Sequence, residues 1–204
     1  GCSGPCLTVA NACSSGADAL GVAAAWLRCG LCDLVLAGGA DELNLIPLAG
    51  FHALGVMSPA PCAPFDRDRS GLNLGEGAGI LVLESFAHAR RRGATPLLAL
   101  AGFGAAGDAH HLTAPDPEGK GLEQAIRTAL AEAGAQPDAV AFVNAHGTAT
   151  LDNDRVEAKT LLRIFGPRLR YLSTKGYTGH TLGAAGAIEA IFTGLNLRDG
   201  WLPP

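Results

Sequence analysis

Residues 7–21 read LTVANACSSGADALG and place a cysteine, Cys13, between a mostly apolar run and an alanine-rich segment. Residues 7–10 predict a short buried strand, and the proline-free segment 17–27 predicts a helix. A cysteine at such a junction lies beside the first unpaired N–H groups of the helix, where the positive end of the helix dipole favours the thiolate. Packing as a buried thiol is the alternative. Residues elsewhere in the chain must decide whether Cys13 is a reactive thiolate or a buried packing residue.

The composition favours a large buried core and excludes some classes of partner. The chain has 204 residues, of which 48% are hydrophobic and 17% are charged, enough for one substantial domain or two small ones. The formal net charge of −4 gives no reason to expect nucleic-acid binding. No apolar run reaches the ~18 residues that a membrane span needs, so we expect none.

Six cysteines all fall in the first third of the chain, with no secretory signal ahead of them. A large apolar chain of this kind is typical of the cytoplasm, where thiols stay reduced. Cys29 and Cys32 have the spacing of a zinc or redox pair, but no second CxxC follows them. We therefore interpret this pair as packing and expect no metal.

Apolar runs and helical periods alternate along the chain, which predicts an α/β architecture with mixed, mostly parallel sheets. Residues 34–38 form a short, glycine-bounded apolar run that is typical of a central parallel strand. Further strands are predicted at 80–83, 140–143 and 170–173, and helices at 44–54, 86–92, 122–133, 154–165 and 187–197.

Three segments of the second half carry polar, glycine-flanked groups after predicted strands. His146 lies in NAHGTAT at 144–150, and Lys175 and His180 lie in STKGYTGH at 173–180. Glu189 lies in the helix that follows. A lone histidine is commonly a structural residue. Two histidines, a lysine and a cysteine near strand ends together favour covalent thiol chemistry.

Cys13, His146 and His180 also carry a family resemblance. The segments TVANACSSG (8–16), NAHGTAT (144–150) and KGYTGH (175–180) resemble, in this order, the Cys-His-His active site of β-ketoacyl-acyl carrier protein synthases. PFD, GEGAG and LGAAG agree with the same family, at 64–66, 75–79 and 182–186.

Finer details of the resemblance concern the subclass. Histidine at both later positions resembles the elongating enzymes, and retention of Cys13 argues against the chain-length-factor paralogues. Segments 59–65, 116–119 and 173–176 resemble ketosynthases of aryl-polyene and type II polyketide-like clusters.

The resemblance implies a thiolase-like fold, in which two similar halves stack in five αβαβα layers. The family's catalytic domain is about twice the length of this chain, so we expect the fold to be incomplete at both ends. Residues 1–93 would be the C-terminal part of the first half and carry the nucleophile. Residues 94–204 would be the N-terminal and middle part of the second half and carry both histidines and the lysine.

By resemblance, Cys13 attacks an acyl thioester carried on the phosphopantetheine arm of an acyl carrier protein. His146 and His180 then donate N–H groups to the thioester oxygen of malonyl-acyl carrier protein while CO2 leaves. Lys175 is expected to orient His146 and to share a network with Glu189. A purely structural Lys175–Glu189 ion pair is the alternative.

Five further residues complete the predicted site. Asp154 and Glu157, spaced i and i+3, either join this network or cap and solvate their helix. Thr148 and Thr150 are expected to hydrogen-bond the pantetheine, by family match. Phe51 is interpreted as a wall of the acyl pocket, with core packing as the alternative. No tightly bound cofactor is expected.

The expected partners are an acyl carrier protein and a second ketosynthase chain, in a homodimer or a heterodimer. Two other functions stay open at this point. A coenzyme A-dependent thiolase typically needs a second catalytic cysteine near its C-terminus, and no cysteine follows Cys62. A non-catalytic, ketosynthase-like partner of a heterodimer is the other alternative.

Overall fold

Residues 3–203 are described by the computed structural model of this chain, and their contacts group into two units. The first unit contains the chain up to Glu42, Glu76–Leu100 and Thr181–Leu202. The second contains Leu43–Gly75 and Ala101–His180. Each unit is therefore assembled from segments that are distant in sequence. The boundary predicted between residues 93 and 94 divides the chain by sequence order and stays a prediction.

The first unit is a two-stranded antiparallel sheet with helices. Its elements are α1 (Ser15–Arg28), β1 (Leu34–Asp41), β2 (Gly77–Glu84), α3 (Phe86–Arg91) and α7 (Ala185–Asp199). Leu34 pairs with Glu84 at one end of the ladder, and Asp41 pairs with Gly77 at the other. Both α1 and α7 contact the two strands.

The core of the first unit lies between this sheet and its helices. Its members are Leu20, Ala23 and Ala37, with Val35, Leu81, Leu83 and Ala190 packed against them. Strand residues alternate between two faces, so Leu36, Ile80 and Val82 point away from this core and are exposed.

Glycines allow α1 and α7 to approach closely. A Cβ atom on Gly186 would lie 2.7 Å from the backbone nitrogen and 2.8 Å from the Cβ of Ala17. A Cβ on Gly16 would lie 2.8 Å from the backbone nitrogen of Ala187. Real Cβ atoms do not approach so closely, so both positions require glycine.

Within the described residues, the second unit contains four α-helices and a two-residue parallel ladder. Its elements are α2 (Leu45–Ala53), α4 (Lys120–Ala133), β3 (Val143–Asn144), α5 (Leu151–Phe165), β4 (Tyr171–Leu172) and α6 (Lys175–Thr178). β3 runs parallel to β4, and α4 packs on α5. The buried apolar side chains of α5 are Val156, Leu161 and Ile164.

The helix predictions are confirmed, with ends shifted by a few residues, whereas two strand predictions are wrong. Residues 7–10 are not in a strand and are largely exposed, because no described segment offers them a hydrogen-bonded ladder. Residues 34–38 form a strand, but its neighbour is antiparallel. Among residues 3–203, no helix has the length and apolarity needed to cross a membrane.

The contact between α1 and α7 generates a stability prediction. We expect Gly186→Ala to lower the free energy of unfolding by about 1–3 kcal/mol, because the added methyl group would overlap Ala17. Gly50→Ala in α2 is the matched control, since a Cβ there meets no atom within 4 Å. The control should be neutral or stabilising by up to about 1 kcal/mol in urea unfolding. Equal losses for both variants would contradict the close helix contact.

Candidate active site

Cys13 lies in a 3-10 turn, Ala12–Ser14, immediately before α1 in the first unit. Its side chain is partly exposed. Ala12 has a φ of +48°, in the left-handed region that non-glycine residues rarely adopt. The helix start predicted after Cys13 is therefore confirmed, and it follows a strained turn. Strain of this kind often marks functional sites because it aims one side chain in a specific direction.

Side chains on both sides of Cys13 hold this turn. Asn11 Nδ2 donates to Ser14 Oγ at 2.9 Å and to Asp18 Oδ2 at 2.8 Å. Ser15 Oγ donates to the Ala12 carbonyl at 2.7 Å and accepts from the Asn11 backbone N–H at 2.8 Å. Every one of these partners is within seven residues along the chain, so the turn is stabilised locally.

A buried lysine organises the candidate site of the second unit. Lys175 begins α6 and its residue is 1% exposed. Its Nζ donates to the His146 carbonyl at 2.7 Å and lies 3.3 Å from His146 Nδ1. Because an ammonium only donates, Nδ1 accepts, and the neutral ring carries its proton on Nε2.

The imidazole rings of His146 and His180 meet edge-on, and both are uncharged. Their ring centroids are 5.2 Å apart, with the rings at 86°. Burial, then the charge of Lys175 and the neighbouring His180, holds the pKa of His146 well below its usual range. Burial and the charge of Lys175 lower the pKa of His180 to about 3. At neutral pH each ring therefore keeps one N–H to donate.

Two carboxylates of α5 hold the loop that carries His146. Glu157 accepts the backbone N–H groups of His146 at 2.7 Å and Gly147 at 2.8 Å. Asp154 accepts those of Phe65 at 2.7 Å and Ala149 at 3.1 Å. Both carboxylates are buried, so they do not solvate the helix. Burial raises the pKa of Glu157 and outweighs these hydrogen bonds, which lower it.

The remaining predicted residues divide between the two units. Thr148 is buried, and its Oγ1 lies 2.9 Å from that of Thr150. The Phe51 ring approaches the His180 ring edge-on, with centroids 6.4 Å apart. The second unit thus contains every predicted residue except Cys13 and Glu189, which belong to the first unit.

Sequence reasoning missed Ser173, Cys62 and Asn73, which are among the residues that contact this site. Ser173 Oγ donates to the Gly147 carbonyl at 2.8 Å, and Cys62 Sγ donates to the Lys175 carbonyl at 3.1 Å. Asn73 accepts the backbone N–H of His180 at its carbonyl. Ser173 and Cys62 stand in segments quoted for other reasons, whereas no sequence pattern singles out Asn73.

The Glu157 contacts generate a second prediction. Glu157→Gln should lower the free energy of unfolding by about 1–3 kcal/mol, because its amide NH2 would face one of the two buried N–H donors. The matched control is Asp152→Asn, whose exposed ion pair with Arg155 on the same helix should cost less than about 1 kcal/mol. Denaturant unfolding at pH 7.5 measures both. A Glu157→Gln loss no larger than the control would contradict the role of Glu157.

A third prediction concerns pH. The His180 pKa is about 3 in the folded protein, against 6.5 for an ordinary imidazole. Below pH 6.5 the unfolded chain therefore binds a proton that the folded chain does not, and stability falls as pH falls. Between pH 6.5 and 4.5 wild type should lose about 2–3 kcal/mol more than His180→Asn. Thermal or urea unfolding measures this difference, and parallel pH profiles for the two proteins would contradict it.

Comparisons with known proteins identify the same family in the N-terminal and the C-terminal part of the chain. Residues 1–89 match the family described as beta-ketoacyl synthase, N-terminal domain, and residues 97–204 match beta-ketoacyl synthase, C-terminal domain. Nodulation protein E of Rhizobium leguminosarum bv. trifolii is 43% identical over 208 residues, covering 100% of this chain and 51% of that protein. The 3-oxoacyl-(acyl-carrier-protein) synthase 2 of Staphylococcus aureus is 40% identical over 213 residues, covering 100% of this chain and 53% of that protein.

A solved structure shows the same fold. The ketosynthase of Xenorhabdus doucetiae, determined in complex with its chain length factor, matches with a TM-score of 0.90 and 41% identity. The match covers 96% of this chain and 47% of that one, so the chain spans about half the length of these relatives. The predicted thiolase-like α/β fold class is confirmed, and the chain belongs to the beta-ketoacyl synthase family.

Proposed function

We propose that the protein containing this chain condenses an acyl group held on Cys13 with malonyl-acyl carrier protein, releasing CO2 and forming a β-ketoacyl-acyl carrier protein. The observation that carries the proposal is the pair of neutral imidazoles, His146 and His180, beside the buried Lys175. The name of the Staphylococcus aureus relative, a 3-oxoacyl-(acyl-carrier-protein) synthase, supports the carrier protein as the form in which substrate arrives.

The first step transfers the acyl group to the enzyme. The Cys13 thiolate attacks the thioester carbonyl, a C–S bond to Cys13 forms, and the C–S bond to phosphopantetheine breaks. The phosphopantetheine sulfur leaves as a thiolate and takes up the proton that Cys13 lost on ionising. The tetrahedral oxyanion needs backbone donors, and the N–H of Cys13 itself is one of them. The position of Cys13 immediately before α1 supports this role, because the first N–H groups of a helix have no partner within the helix.

The second step forms the carbon–carbon bond. The carboxylate of malonyl-acyl carrier protein leaves as CO2, and its electron pair forms an enolate on the thioester. His146 and His180 donate N–H groups to that oxygen, which suits two imidazoles held neutral at pH 7. The enolate carbon then attacks the acyl carbonyl on Cys13, and the thiolate leaves. Removing one such donor should cost roughly 10²–10³ in rate.

The other predicted residues assist these steps. Lys175 fixes His146 with Nε2 protonated, and Glu189 offsets the lysine charge. Thr148 and Thr150 bind the pantetheine, since the pairing of their hydroxyls leaves one O–H to donate outward. Phe51 forms a wall of the acyl pocket beside His180, supported by the edge-on contact of their rings.

The same proposal covers partners and pathway. An acyl carrier protein delivers both substrates, and the protein acts as a homodimer or with a second ketosynthase-like chain, in fatty acid or in polyketide and polyene biosynthesis. The complex of the Xenorhabdus doucetiae ketosynthase with its chain length factor supports such pairing. A cytoplasmic location and the lack of a tightly bound cofactor belong to the same expectation.

The test uses the intact protein with acyl- and malonyl-carrier protein. Mass spectrometry should find the acyl group on Cys13, and Cys13→Ala should abolish it. His180→Asn should still acylate Cys13 but decarboxylate malonyl-carrier protein roughly 10²–10³-fold more slowly. Cys29→Ser is the matched control, because this thiol is exposed in the same unit, and it should keep wild-type activity.

Three results would contradict the proposal. Equal labelling of all the cysteines by iodoacetamide would remove the special reactivity of Cys13. Full product formation by a complex carrying Cys13→Ala would make the chain a non-catalytic partner. Turnover of coenzyme A thioesters without carrier protein would indicate a thiolase.

A further inference from the structure

The side chain of Asn73 uses both ends of its amide to hold one loop, residues 58–62. Its Nδ2 donates to the Ser58 carbonyl at 3.1 Å and to the Ala60 carbonyl at 3.2 Å. Its Oδ1 accepts the backbone N–H of Cys62 at 2.7 Å. Three hydrogen bonds from one partly buried side chain fix the path of the loop as far as Cys62.

The end of that loop contacts the main chain of the buried lysine. Cys62 is 8% exposed, and its Sγ–H donates to the Lys175 carbonyl at 3.1 Å. The thiol can reach this carbonyl only if the backbone at residue 62 stays in place. The Asn73 side chain therefore supports Lys175 through Cys62.

The main chain at Asn73 holds His180 directly. Its carbonyl accepts the His180 N–H at 2.7 Å, and the N–H of Gly75 donates to the His180 carbonyl at 3.0 Å. Gly179 makes this pairing possible: its φ is +67°, and a Cβ there would lie 2.9 Å from the Leu74 carbonyl oxygen. Residues 73–75 thus form hydrogen bonds with both the N–H and the carbonyl of His180.

We propose that Asn73 is a positioning residue that sets the main chain of both Lys175 and His180. Its side chain reaches Lys175 through Cys62, and its main-chain carbonyl binds His180. One residue thus couples the lysine that orients His146 to His180, the second donor to the thioester oxygen. This inference rests on the proposed function. Asparagine suits the position because its amide supplies two donors and an acceptor, whereas aspartate lacks the donors and leucine lacks all three.

The experiment compares Asn73→Leu and Asn73→Asp with Ile126→Val in the intact protein. Ile126 lies in α4 of the same unit, a helix that carries none of the predicted site residues, and its replacement provides a mildly destabilised control. Both Asn73 variants should decarboxylate malonyl-carrier protein roughly 10- to 100-fold more slowly, through kcat and with KM changed by less than about twofold, because small displacements of catalytic groups are costly. Acylation of Cys13 should stay within about threefold of wild type. Neither His146 nor His180 acts in that step, so a shift of these rings should not slow it.

Cys62 offers a paired test with its own rescue. Cys62→Ala removes the donor to the Lys175 carbonyl and should slow decarboxylation in the same direction as Asn73→Leu. Cys62→Ser keeps an O–H donor at that position and should restore most of the rate. Failure of serine to exceed alanine would overturn the link through Cys62.

A readout that does not depend on activity separates this inference from the proposed function. Hydrogen exchange at the His180 amide should be at least about tenfold faster in Asn73→Leu than in Ile126→Val. Loss of the three side-chain hydrogen bonds of Asn73 would loosen the main chain at residue 73, whose carbonyl accepts that amide. Equal exchange, or equal loss of both half-reactions in the Asn73 and Ile126 variants, would overturn the positioning role. If wild type fails to acylate Cys13, the proposed function is wrong, and the exchange comparison still decides the role of Asn73.

Discussion

The buried ammonium of Lys175 is the constraint on which the candidate site depends. A charge that is 1% exposed must be compensated, because moving it out of water costs several kcal/mol. Its hydrogen bonds to the carbonyl and the Nδ1 of His146 supply part of this compensation and select one tautomer of that ring. Burial first, and then the same charge, lowers the pKa of His146 and of His180 and keeps both rings neutral. One buried cation thus selects the tautomer of His146 and adds to the burial that keeps both histidines uncharged.

Side-chain carboxylates, rather than the ladder of a long sheet, hold the main chain around the candidate site. Asp154 and Glu157 together accept four backbone N–H groups, from two loops that would otherwise have unpaired donors. Left-handed residues stand at the motifs themselves, with φ of +48° at Ala12 and +64° at Ala149. Each such alanine costs roughly 1–2 kcal/mol, so the surrounding contacts must over-determine these conformations.

The predictions from sequence were correct for the helices, where the pattern of neighbouring residues indicates the structure. Helices α1, α4, α5 and α7 follow from alanine content and helical spacing, which are properties of neighbouring residues. The strand at 7–10 and the parallel partner of β1 were wrong, because pairing joins distant segments and apolar runs do not reveal the partner. Asp154 and Glu157 stayed open between two roles for the same reason: their partners, including Phe65 and Gly147, lie outside the helix.

The family can be read from the sequence alone, and so can the residues available for chemistry: a cysteine before a helix, two histidines and a lysine in glycine-flanked motifs, and the order in which they occur. Those are covalent properties, and they can be read along the chain. The tertiary structure alone decided which backbone groups Asp154 and Glu157 hold, which imidazole nitrogen faces Lys175, and that Asn73 and Cys62 support this lysine and His180. The physical reason is that hydrogen bonds and burial depend on distances in space, and these contacts join residues up to 113 positions apart.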